Sequence, residues 1–173
     1  MTCYKAQGVS RKDIRRFVKK IKKLVGLENE LYFPIVEFLE NILPEIIPDF
    51  QLEILPRLVM GDKHGETFPN RNIIRIREDV YDRAVEGGER DRMTIAHEIG
   101  HLFMHEEENI SLCRMNSKQR LPAYEDPEWQ ADAFGGELLA SSYLIEGMSP
   151  CDVRDKCGVT ISAARVQLNA LHK

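Results

Sequence analysis

Three ionisable residues interrupt an otherwise apolar run. From Met93 to Met104 the sequence Met-Thr-Ile-Ala-His-Glu-Ile-Gly-His-Leu-Phe-Met is almost wholly hydrophobic once His97, Glu98 and His101 are set aside. A helix apolar on nearly all sides belongs in a core, and ionisable groups buried there need a compensating partner. His97 and His101 lie four residues apart, on one helical face and one turn from each other. Two imidazoles at that spacing can share one zinc ion, and Glu98, next in sequence, can reach a water on that ion. The chemistry expected of such a set is hydrolytic. The metal lowers the water's pKa to about 7. Glu98 takes the proton and delivers it to the leaving amine.

A catalytic zinc needs a third protein ligand, expected on a following helix packed against the first. Glu128 is the choice, because Asp132 follows one turn later on the same face. There it can accept a hydrogen bond from a zinc-bound histidine and fix its tautomer. Glu125 competes but precedes the helix start, and Glu137 has no acid at i+4. His105 continues the stripe of His97 and His101 a turn too far to share the ion, so a structural role is expected. An oxyanion donor is not selected by spacing; Tyr124, Tyr143 and His64 are the nearby candidates.

The elements that must position these residues follow from periodicity. Gly87-Gly88 breaks a short helix around Val80 to Val85, and the zinc helix starts near Glu89 or Arg90. Upstream, Gln51 to Leu55, Leu58 to Met60 and Asn72 to Arg77 read as strands, with turns between Gly61 and Asn72. An exposed edge of that sheet could hold a substrate as an added strand. Met1 to Gly8 carries no pattern and is expected to be loose. Ser10 caps an amphipathic helix through Val25, and a second helix follows Pro34 and ends at Pro44 and Pro48. After His105 the acidic run Glu106-Glu107-Glu108 is expected to be solvated surface. Little periodicity follows as far as Pro122, and Cys113 within this stretch is expected to be inert. A helix then starts at Pro127. Ser149-Pro150 and Thr160 or Ser162 start two short helices around Gly158, the outline of a helix-turn-helix. The expected architecture is α+β: a small antiparallel three-stranded sheet packed on helices, with a zincin-type HExxH helix. Residues 1–145 form the zinc domain, and residues 146–173 a small helical region packed on it.

Composition narrows the class. With 173 residues, 43% hydrophobic and 30% charged, the chain suits one globular core. It has no apolar run of membrane length and no signal-like N-terminus, so the cytoplasm is the expected location. Cys3, Cys113, Cys151 and Cys157 lack CxxC spacing and are expected to be free thiols. The net charge is −4, yet residues 11–23 carry eight cations against Asp13 alone. That face could meet nucleic acid or an acidic protein, but docking on the chain's own acidic body is favoured. Residues 151–173 are too weakly basic for a DNA reader, so packing or protein contact is expected of them.

His97-Glu98-Ile99-Gly100-His101-Leu102 with His105, followed by Glu128-x-Gln130-Ala131-Asp132-Ala133-Phe134-x-x-Glu137-Leu138-Leu139, resembles the ImmA/IrrE family of gluzincin-like zinc metallopeptidases. The resemblance spans roughly residues 50 to 145. It implies His97, His101 and Glu128 as zinc ligands and Glu98 as the catalytic glutamate. It also implies a bacterial or phage-borne protein whose substrate is a helix-turn-helix repressor, cut to relieve repression under stress. Relatives commonly follow the Leu-Leu pair with Met-Pro where this chain has Ala140-Ser141-Ser142, a departure that bears on the substrate. The rival function is a zinc-containing module that sequesters a repressor or antitoxin-like partner without cutting it.

Overall fold

A computed structural model describes residues 2–105, 110–114 and 121–171, with side chains for 5–105 and 121–171. The acidic run Glu106 to Glu108 and the Cys113 side chain lie outside that description. Helices predominate. They are α1 (Arg11–Leu24), α2 (Ile35–Glu37), α3 (Leu43–Ile46), α4 (Arg57–Met60), α5 (Glu78–Val85), α6 (Glu89–Met104), α7 (Pro127–Leu139), α8 (Ser142–Ile145), α9 (Pro150–Cys157) and α10 (Ile161–Asn169). A π-helical turn, Phe38–Ile42, joins α2 to α3. Pro44, expected to end this helix, sits instead in the first turn of α3. A first-turn N–H has no intrahelical acceptor to lose, so proline is tolerated there.

Two small sheets complete the fold. Strands β2 (Gln51–Leu55), β3 (Gly65–Phe68) and β4 (Ile73–Arg77) are ordered β2-β4-β3. The expected all-antiparallel sheet is corrected, because β2 runs parallel to β4 and only β3 is antiparallel to it. The expected strand at Leu58 to Met60 is also corrected. Pro56 and Gly61, the latter at φ 61°, bracket one helical turn there. Of its three apolar residues only Met60 is buried, with Leu58 96% exposed. The third strand comes from the stretch read as turns. The N-terminus is not loose: β1 (Thr2–Ala6) pairs antiparallel with β5 (Ile110–Arg114).

The core gathers around α6 and α7. Ile95, Ile99 and Leu102 of α6 pack with Phe134, Leu138 and Leu139 of α7, with Ile74 and Ile76 of β4, and with Ile14 and Val18 of α1. Each such aliphatic side chain contributes roughly 1.5–3 kcal/mol on full burial. Arg92 is 1% exposed. Its guanidinium donates to the carbonyls of Phe33 at 3.0 Å, Gly158 at 3.0 Å and Cys157 at 3.3 Å, tying α6 to the turn before α10.

Helix α1 keeps Ser10 as its cap, accepting from Asp13 N at 3.2 Å. Half of its cations engage other parts of the chain. Arg15 donates to the Ala170 and Leu171 carbonyls, and buried Lys22 to Glu30 O and Ser141 Oγ. Arg11 lies over Trp129 and Lys19 over Tyr143. Much of the basic face is therefore spent on the chain's own body.

The α6 and α7 backbones meet through glycines. A Cβ on Gly100 would stand 3.0 Å from Ala131 Cα, and one on Gly135 would stand 3.2 Å from Ala96 C and His97 N. Any side chain at these positions must push the helices apart. Gly135→Val is expected to lower the unfolding free energy by about 1–3 kcal/mol, read as a lower urea midpoint. An unchanged midpoint would show that the helices separate at no cost.

Candidate metal centre

Helix α6 begins after Gly88 with Glu89 and Asp91 in its first turn, where carboxylates complement the helix dipole. It carries His97 and His101 to the face that meets α7. Helix α7 starts at Pro127 behind the Asp126 cap, whose side chain accepts from Glu128 N at 3.0 Å. The cap sets Glu128 in the first turn, and Asp132 follows one turn on.

Across this interface His97, His101 and Glu128 each offer one ligand atom, all within 4.8 Å of one another. Nε2 of His97 lies 3.4 Å from one Glu128 oxygen, and Nε2 of His101 lies 3.5 Å from the other. A tetrahedral ion with ligands at about 2.05 Å spaces them by roughly 3.3 Å. The two Nε2 atoms are 2.9 Å apart, so they need part by only about 0.4 Å to match it. Two imidazole nitrogens and one carboxylate are also the donor types that zinc takes. The residues present fit a bound divalent ion.

Each histidine has a partner on its far nitrogen. His97 Nδ1 lies 2.8 Å from Asp132 Oδ1, and His101 Nδ1 lies 2.8 Å from His105 Nδ1. Burial disfavours a charged His97, but hydrogen bonds to Asp132 and Glu128 outweigh it and push this ring up to about 10. These partners favour the protonated form of His97, whose Nδ1 faces Asp132 and whose Nε2 lies 2.9 Å from His101 Nε2. The neighbouring imidazoles of His101 and His97 hold Glu128 well below the usual carboxylate range.

Glu98 points away from α7 toward β3. It is 7% exposed, and one carboxylate oxygen accepts from Thr67 Oγ1 at 2.6 Å. A Cβ on Gly65 would stand 2.6 Å from Glu98 Cγ and Oε1, so only glycine lets the strand come this close. Burial pushes the Glu98 carboxyl up, while the Thr67 hydrogen bond and the two imidazoles pull it down.

The structure therefore brings together His97, His101, Glu128, Asp132 and Glu98. The rival third ligands are engaged elsewhere. Glu125 pairs with Lys5 at 3.0 Å, and buried Glu137 accepts from Ser142 and Gln167. Of the oxyanion candidates, Tyr143 gives its hydroxyl to Glu28 O at 2.6 Å, and His64 and Tyr124 are exposed. Thr67 and Gly65 escaped sequence reading because their stretch carries turn-forming residues, and nothing local marks it as facing α6. Gln130 escaped as well: it looks like any polar helix residue, yet it is fully buried.

Residues 57–147 match the Peptidase_M78 family, the IrrE N-terminal-like domain, over more than half of the chain. The chain belongs to this family of peptidases. The matched segment contains β3, β4, α6 and α7 and every residue of the centre. Among curated proteins none matches the chain.

Burial holds His105 down at about 4, against the opposing hydrogen bond to Gln130. An unfolded histidine, with a pKa near 6.5, takes up a proton that the folded ring refuses. The stabilising contribution of neutral His105 is thus complete above pH 6.5 and is lost as pH falls toward 4. Its full size is on the order of 3 kcal/mol. Metal-free protein is expected to lose stability across that window, and a His105→Phe variant to lose less, by urea titrations at several pH values. Parallel pH curves for the two proteins would refute the assignment.

Proposed function

We propose that the protein is a zinc-dependent endopeptidase that makes a site-specific cut in a helix-turn-helix repressor. The observation that carries this reading is one arrangement: a three-ligand cluster beside a buried carboxylate that β3 holds in place. Membership of the peptidase family supports it, and peptidases of this family are typically metal-dependent. His97, His101 and Glu128 would hold the ion, and Asp132 would fix the His97 ring. When bound, zinc would supply Lewis acidity to the scissile carbonyl and an acidified water. Glu98 would accept a proton from the attacking water and return it to the departing amine. Its burial, which raises its proton affinity, suits a group that must both take and give a proton near neutral pH. Strand β3 pairs with β4 on one side only among the described strands. The Gly65–Thr67 face of this strand lies against Glu98, and its unpaired edge suits a substrate peptide added as a further strand.

The repressor as substrate rests on the family resemblance, and the exposure of Glu128 and Asp132 leaves the centre open to solvent. We assign packing, not DNA reading, to α9 and α10. Val153, Cys157, Ala164 and Gln167 are buried, and Gln167 donates to Glu137 at 2.7 Å. No helix among the described residues is long and apolar enough to cross a membrane.

Glu98→Gln is expected to keep its zinc and to lose at least about 10²–10⁴-fold in turnover, whereas Glu128→Ala or His101→Ala loses the metal itself. The assay incubates each protein with the helix-turn-helix protein encoded beside it, with and without chelator, and follows cleavage by mass spectrometry. Turnover by Glu98→Gln would remove that residue from the mechanism. Tight binding of the repressor by the wild type without any cut would favour the sequestering module instead.

A further inference from the structure

The far side of His101 is sealed by a chain of hydrogen bonds whose direction is fixed at its end. Gln130 is fully buried on α7. Its Nε2 lies 2.8 Å from the carbonyl of Gln7 and 2.7 Å from that of Tyr124. Two carbonyl oxygens can only accept, so this atom is the NH2 group and both of its protons are used. The amide oxygen must then face His105, whose Nε2 lies 3.0 Å away. An oxygen only accepts, so His105 Nε2 carries a proton. The other nitrogen of His105 meets His101 Nδ1 at 2.8 Å. Only one proton can lie between those two nitrogens, and its position decides what His101 presents to the metal. Were it on His105, His101 would have to carry its own proton on Nε2, the atom that must ligate. On His101 Nδ1, it leaves Nε2 with a bare lone pair aimed at His97 and Glu128.

We infer that His105 and Gln130 are positioning residues that hold His101 in its metal-binding tautomer, with the Gln7 and Tyr124 carbonyls as the fixed end of the relay. This inference rests on the zinc centre proposed above. It reassigns His105 from a merely structural residue to one that acts through His101. It also gives two main-chain segments a role at the centre. Gln7 lies in the link between β1 and α1, and Tyr124 in the turn before α7. The neighbouring ligand is served differently, since His97 meets an exposed carboxylate where His101 meets a buried neutral ring.

The test is spectroscopic and needs no substrate. In metal-free wild-type protein with 15N-labelled histidine rings, two-bond ring correlations are expected to show His105 protonated at Nε2 and bare at Nδ1. They are expected to show His101 protonated at Nδ1. The opposite tautomer of either ring overturns the relay. Zinc affinity, measured by competition with a chromophoric chelator, is expected to weaken about 10- to 100-fold in His105→Phe and in Gln130→Met. Affinity within twofold of wild type in folded variants overturns the positioning role, and if neither variant folds the ring tautomers of the wild type decide. Wild-type zinc binding that survives His97→Ala would instead sink the centre itself, while the tautomers of the metal-free protein still report on the relay.

Discussion

The backbones of α6 and α7 approach until no side chain fits between them at Gly100 or Gly135. The geometry of the centre is set by that approach. Two ligand nitrogens belong to one helix and the carboxylate to the other, so their separation is an interhelical distance and no single helix can adjust it. With ligand bonds near 2 Å, a shift of even half an ångström between the axes is large. Rigid elements pressed together by a shared core hold such tolerances better than loops do. Ile95, Ile99, Phe134 and Leu138 supply that pressure on the side opposite the solvent. The ends of α6 are pinned as well, by Asp91 to Arg83 at one end and by His105 to Gln130 at the other.

Burying so many polar groups in an apolar helix is costly unless each finds a partner. The partners come from different parts of the chain and differ in character. Asp132, exposed, attracts charge to His97; Gln130, buried and uncharged, favours a charged His105 too weakly to outweigh burial. Thr67 gives Glu98 one hydrogen bond and leaves the second carboxylate oxygen unclaimed by β3. A carboxylate held by a single donor, in a site that raises its proton affinity, stays free to exchange a proton. One held by several donors would be locked as an anion. Glu137 shows the contrast: it accepts from Ser142 and Gln167 and works as a buried strut.

What could be read from the sequence was whatever is local. The spacing of His97 and His101, and of Glu128 and Asp132, needs only helical periodicity, and the caps at Ser10 and Ser149 are written in adjacent residues. The partner of Glu98 and that of the N-terminal strand were not readable. Thr67 and Gly65 reach Glu98 across about thirty residues of chain, and β1 finds β5 across more than a hundred, with no pattern in either segment to announce the pairing. Leu58 to Met60 failed for the opposite reason: three apolar residues suit a strand and a helical turn equally well, and Pro56 and Gly61 decided it. The parallel pairing of β2 with β4 is likewise a matter of topology, since both strands look the same in either direction.

The segments outside the family match are not passive additions to its core. Gln7 ends the relay behind His101, Phe33 accepts from Arg92 at the head of α6, and Arg15 lies 3.6 Å from Glu137 near the end of α7. Gln167 of α10 reaches the same glutamate. All these contacts bear on the two helices that carry the ligands. Glu128 and Asp132 themselves stay exposed. Any change that loosens these contacts is transmitted through rigid helices to the ligand atoms themselves.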